Sequence, residues 1–128
     1  MATYITTGGA DYMLNAALNT SGVWVALGSG YSSGTFSEIV TGIGYARQFV
    51  NNWVVSSGQA NPPSGVTFGP ATSSGWTVST LGIFTTSANG SSSPFWVGFL
   101  QTSGQVSVGQ NASFASGSLT LGFQTSGA

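Results

Sequence analysis

Glu38 and Arg47 are the most suggestive polar pair in the sequence, because Gly42 and Gly44 lie between them and let the chain fold back to join carboxylate and guanidinium. As chemistry, this would make Glu38 a general acid or base polarised by a cation. As architecture, it is an ion pair locking a loop onto a strand, and this reading is preferred because a catalytic Glu38 would lack a second tuned group nearby. Asp11 and Glu38 would make a glycosidase-like carboxylate pair. However, Asp11 stands just ahead of Met13, Leu14, Ala17 and Leu18, whose spacing predicts a short helix over about 11–19, and a helix start is a common place for Asp as a cap. The serines have neither His nor Lys to activate them, so no catalytic residue is assigned. Two carboxylates without His or Cys make a poor metal site, and Gly28-Ser29-Gly30 lacks the Lys and following helix of a phosphate loop. No cofactor is expected.

These three residues are the only charged side chains among 128. Hydrophobic residues make up 41% and aromatics 12%, enough apolar surface to form a core, so the low charge does not signal disorder. The exterior must then be wetted by Ser, Thr, Asn, Gln and Gly. Without net charge to hold copies apart, self-association is favoured, and a homo-oligomer is expected, a trimer in the leading reading. A single Arg and no Lys exclude the counterion release that drives nucleic-acid binding. No apolar run approaches a bilayer span, and MATYITTGGA lacks the charged and apolar regions of a signal peptide. No membrane partner is expected, and the sequons at Asn19, Asn89 and Asn111 receive no role.

After the helix the pattern is β throughout. Strands are predicted at Val23–Gly28, Tyr45–Val55, Val66–Phe68, Trp76–Thr85, Phe95–Leu100, Val106–Val108, Ala112–Phe114 and a closing alternation of Leu119, Leu121 and Phe123. Ser29–Thr35 and Gly58–Gly65 read as loops, and Asn89-Gly90 as a turn. Ser-Ser-Gly at 32–34, 56–58 and 73–75 reads as recurrent loop chemistry, not a repeat. Seven or eight short strands without intervening helices predict an all-β protein, an antiparallel two-sheet β-sandwich of jelly-roll type, built as one domain over 1–128. Trp24, Trp53, Trp76 and Trp96 are candidate interface aromatics. Core filling is the preferred reading of aromatics in a small β protein, with the interface second and a sugar-stacking platform third. Phe95 and Trp96 are adjacent and must point to opposite faces, which makes Trp96 the first choice for a partner.

The order of motifs adds a resemblance. Val23-Trp24-Val25-Ala26-Leu27, Glu38, Gly44-Tyr45-Ala46-Arg47-Gln48, Trp76 to Leu81-Gly82-Ile83-Phe84 and Gly117-Ser118-Leu119 together resemble a family of small structural proteins of tailed bacteriophages. The resemblance implies a non-enzymatic virion component. The leading expectation is a head decoration (cement) protein on the outer capsid surface, made in the host cytoplasm and bound to the major capsid protein. The alternative is a tail or fibre module recognising host glycans.

Overall fold

The computed structural model describes residues 5–89 and 94–122. They fall into two compact units: one takes 5–22, 50–66 and 114–122, and the other takes 23–49, 67–89 and 94–113.

The larger unit is organised by two long strands, β1 (Val23–Ser32) and β7 (Trp76–Phe84), paired antiparallel with Trp24 opposite Phe84 and Leu27 opposite Leu81. Burial is near-continuous over Val23–Gly28 of β1 and Thr80–Phe84 of β7, the stretches that pair with each other, while the end of β1 and the start of β7 are partly exposed. Strand β2 (Thr35–Glu38) folds back on β1, and β8 (Trp96–Val106) lies on the far side of β7, giving the order β2-β1-β7-β8. Strand β3 (Gln48–Val50) also pairs with β1. A separate pair is made by β6 (Val66–Phe68) and β9 (Ala112–Phe114), where Thr67 Oγ1 and Ser113 Oγ are 3.1 Å apart.

On β1 and β7, Gly28 and Gly82 have a specific purpose. A β-carbon at Gly28 would fall 2.8 Å from the Phe36 ring, and one at Gly82 would fall 3.1 Å from it. The two glycines clear a slot for that ring, which meets Phe84 edge-on at 5.5 Å. Beside this slot, Thr80 Oγ1 is buried without a hydrogen-bond partner.

In the smaller unit, α1 (Thr7–Asn19) packs against β4 (Val54–Ser56) and β5 (Gln59–Asn61), and β10 (Leu121–Gly122) completes a three-stranded sheet in the order β10-β5-β4. Ala10, Leu14 and Leu18 recur every four residues and are completely buried. Burying a leucine in this way contributes about 1.5–3 kcal/mol. Asn61 Nδ2 donates to the carbonyls of Ser116 and Leu119 and to Thr120 Oγ1, fixing the approach to β10.

The all-β expectation holds, with one short α-helix among the described residues, but the ten strands described there form three sheets where seven or eight strands in two were expected. The helix begins earlier than expected, and Asp11 is not its cap. Thr6 Oγ1 accepts from Gly9 N at 3.1 Å, and Asp11, a turn further on, accepts from Gly58 N at 2.7 Å. The poor helix formers Gly8 and Gly9 concealed the true start. The expected strand 45–55 is interrupted at Asn52, whose φ of 58° breaks it into β3 and β4. The expected loop 58–65 contains β5, and β1 with β2 replaces most of the expected loop 29–35. Of the separate strand expected at 106–108, only Val106 is extended, as the last residue of β8, and Val108 lies in the turn that follows. Of the turn at 89–90 and the closing alternation, Gly90 and Phe123 lie outside the described residues.

Candidate functional site

The larger unit closes around a buried polar cluster. Glu38 ends β2, and the chain then loops through Gly42 and Gly44, at φ of 90° and 89°, to return Tyr45 and Arg47 to the same place. Arg47 Nη2 donates to Glu38 Oε1 at 2.8 Å and Nε donates to Oε2 at 2.9 Å, a two-pronged pair with side chains only 1% and 3% exposed. The third prong, Nη1, donates to the Thr86 carbonyl at 2.7 Å, and the guanidinium lies 3.8 Å above the Phe84 ring. Tyr45 OH donates to Glu38 Oε2 at 2.5 Å and accepts from Leu27 N at 3.0 Å. Burial first, and then the bond to Glu38, hold the Tyr45 phenol well above its ordinary pKa.

Every donor of this cluster meets an acceptor, and both carboxylate oxygens are occupied from within. Such an arrangement is a clamp. It ties the loop 39–47 and the segment after β7 to the sheet. The ring of Tyr45 continues the clamp into the core, stacking on Phe68 at 6.2 Å and meeting Trp76 edge-on at 5.8 Å. The loop is held from its other side as well: Ile43 O accepts from Thr72 N and Trp76 Nε1, and Asn89 Nδ2 donates to Ile39 O.

Beside the clamp lies an open recess of about 250 Å³, lined by Ser29, Glu38, Ile39, Val40, Ile43, Gly75, Trp76 and Thr77. Its walls are mainly apolar and hydroxylic, with Glu38 at the side where the recess meets the clamp. Among the described residues no three of His, Cys, Asp or Glu come together to hold a metal.

The four tryptophans separate. Trp53 and Trp76 are 3% and 2% exposed, so neither is an interface residue. Their indole N–H groups are spent internally, on the carbonyls of Val50 and Ile43. Trp24 and Trp96 are half-buried: Trp24 meets the exposed Phe49 at 5.2 Å, and Trp96 meets Phe95 at 6.4 Å. The exposed aromatic surface is carried more by phenylalanine than by tryptophan, with Phe95 and Phe99 at 55% and 65%. In the sequence Tyr45 stands out only within Gly44-Tyr45-Ala46-Arg47-Gln48 and on the same face of an extended chain as Arg47, and its part in the polar cluster was not expected.

Residues 1–122 match the family model described as Podophage GP4 fiber I protein gp80. The chain belongs to this podophage fibre-protein family. The resemblance to tailed-phage structural proteins therefore resolves toward the fibre class, and the chain is a virion structural protein. No curated protein and no solved structure matches it. No described helix is long and apolar enough to cross a membrane.

Proposed function

We propose that this fibre-family chain is a non-enzymatic, self-associating subunit of the tail fibre apparatus that contributes neutral, aromatic-bearing surface for contact with host glycans. The observation that carries the reading is the family match across residues 1–122. The structure supports it physically. Glu38 and Arg47 are consumed inside the clamp, so apart from the half-exposed Asp11, which accepts from Gly58, the described exterior offers hydroxyls, amides and rings in place of charged side chains. Half-exposed rings beside hydroxyls suit the weak, repeated stacking and hydrogen bonding by which neutral sugars are held. The head-decoration reading, with the major capsid protein as partner, draws on the resemblance and on surface neutrality, and the fibre family favours the tail.

Gold labelling of purified particles with an antibody to this chain tests the location. A few labels confined to the tail are expected, while hundreds distributed over the head would overturn the fibre reading in favour of decoration.

A further inference from the structure

The recess beside the clamp, between β1, the start of β7 and the loop 39–47, carries two side-chain hydroxyls that the fold leaves with bonding capacity to spare. Ser29 is the extra residue of a bulge in β1, where Gly28 pairs with Glu38 and Gly30 with Ser37, and such bulges re-aim a side chain. Its Oγ reaches the Ser37 carbonyl only at 3.5 Å, the long limit of a hydrogen bond, so it can give or take another. Thr77 Oγ1 accepts from Gln105 Nε2 at 2.8 Å, which leaves its own hydrogen to donate. Both residues are exposed. The apolar part of the wall is Ile39, Val40 and Ile43, of which Val40 is 62% exposed.

Size, charge and rigidity decide what fits. A volume of about 250 Å³ is below the roughly 300–1,000 Å³ of sites that take a drug-sized molecule, so the recess holds one ring and not a chain of them. Among the described residues lining it, Glu38 alone is charged, and its carboxylate is paired with Arg47, which is not part of the wall. An anion would meet that carboxylate with no cation beside it, and a cation would find the carboxylate already neutralised. An uncharged ligand avoids both costs. The wall is also set in advance: Ile43 O accepts from Thr72 N and Trp76 Nε1 at 2.9 and 3.0 Å, and Ile39 O accepts from Asn89 Nδ2 at 2.8 Å. A wall held in this way loses little freedom when a ligand arrives. The clamp then has a task beyond stability, because it fixes the loop that forms one side of the recess.

We propose that this recess is a subsite for a single neutral pyranose of a host glycan, its apolar ring face against Ile39, Val40 and Ile43 and its hydroxyls bonded to Ser29 and Thr77. The proposal rests on the glycan-contact reading above and names where the sugar sits. Glu38 selects against sugars bearing a carboxylate or a phosphate. One ring with so few contacts binds at about millimolar strength, so useful affinity comes from repeating the site over many copies.

The test is an amide chemical-shift titration of the full, isotope-labelled chain with methyl glycosides of neutral hexoses and N-acetylhexosamines, and with glucuronic acid and hexose phosphates. At least one neutral glycoside is expected to shift the Ser29, Val40 and Thr77 amides saturably, while the acidic sugars leave them unmoved. Thr77→Val and Ser29→Ala should each weaken that binding about fivefold to tenfold, the same spectra showing that the variants are folded. Thr67→Val removes an exposed hydroxyl on β6 and should change nothing. Equal binding by Thr77→Val and Ser29→Ala, or stronger shifts with the acidic sugars, would overturn the subsite. Neutral glycosides that saturate only amides elsewhere would overturn the recess and leave the glycan reading standing. No saturable shift with any sugar at about 100 mM, far above the strength expected, would overturn the subsite. Should purified host envelope glycans also fail to bind the immobilised chain, the glycan reading falls with it.

Discussion

Arg47 is bonded at three nitrogens and stacked on one face, so removing its partner is more damaging than removing both. Glu38→Leu leaves a buried cation facing a methyl group and should cost about 3–5 kcal/mol in urea unfolding. The double replacement Glu38→Leu with Arg47→Met should recover much of that loss, because the interior then holds no unpaired ion. Equal losses in the single and double variants would show that the pair is not one unit. Tyr45 adds a pH dependence with a definite sign. Its phenol ionises near pH 10 in the unfolded chain, and the fold raises that value, chiefly by burial. Above about pH 10 the unfolded state therefore binds fewer protons than the folded state, so stability should fall with pH by up to about 1.4 kcal/mol per unit. Tyr45→Phe should flatten this alkaline limb in denaturant titrations from pH 9 to 12. At neutral pH the same change should cost about 1–3 kcal/mol, because Leu27 N and Glu38 lose a partner.

At the scale of elements, the hairpins explain what was legible and what was not. β1 and β2 join through Ser33-Gly34, and β4 and β5 join through Ser57-Gly58, each with both turn residues at positive φ. These are two-residue turns of the primed kind, for which Asn-Gly and Asp-Gly are the usual signals. With Ser in the first position, both read as loops, and the short strands behind them were missed. The long strand β7 was legible because its start alternates Trp76 and Val78 with Thr77 and Ser79 and its end, Leu81–Phe84, is a continuous buried run. The Glu38–Arg47 juxtaposition was legible from the glycines between them, but the roles of Tyr45 and the Thr86 carbonyl were not, since the first depends on β1 presenting Leu27 N beside β2 and the second on where β7 ends. One of those glycines has a sharp requirement. A β-carbon on Gly44 would lie 2.0 Å from the Pro70 carbonyl oxygen, at a φ of 89°. Gly44→Ala should therefore destabilise by roughly 2–5 kcal/mol, combining backbone strain with overpacking. Gly34→Ala, also at positive φ but in open space, should cost only about 1–2 kcal/mol. Comparable losses in thermal unfolding would remove the Pro70 contact from the explanation.

For the molecule as a whole, the distribution of charge matters more than its amount. Three ionisable carboxyl and guanidinium side chains would ordinarily be solvated, yet two are shut inside the larger unit and the third is tied to a turn of the smaller one. This placement has a consequence for proteolysis. Trypsin cuts only after Lys or Arg, and Arg47 is the chain's single target. Its guanidinium lies under Glu38, Thr86 and Phe84 and cannot enter a protease pocket while the clamp is shut. The folded chain should therefore survive trypsin, and each cleavage into two fragments should record one opening of the cluster. Glu38→Leu should raise the cleavage rate under native conditions in proportion to the population it opens, which makes a common protease a site-specific gauge of this one buried contact.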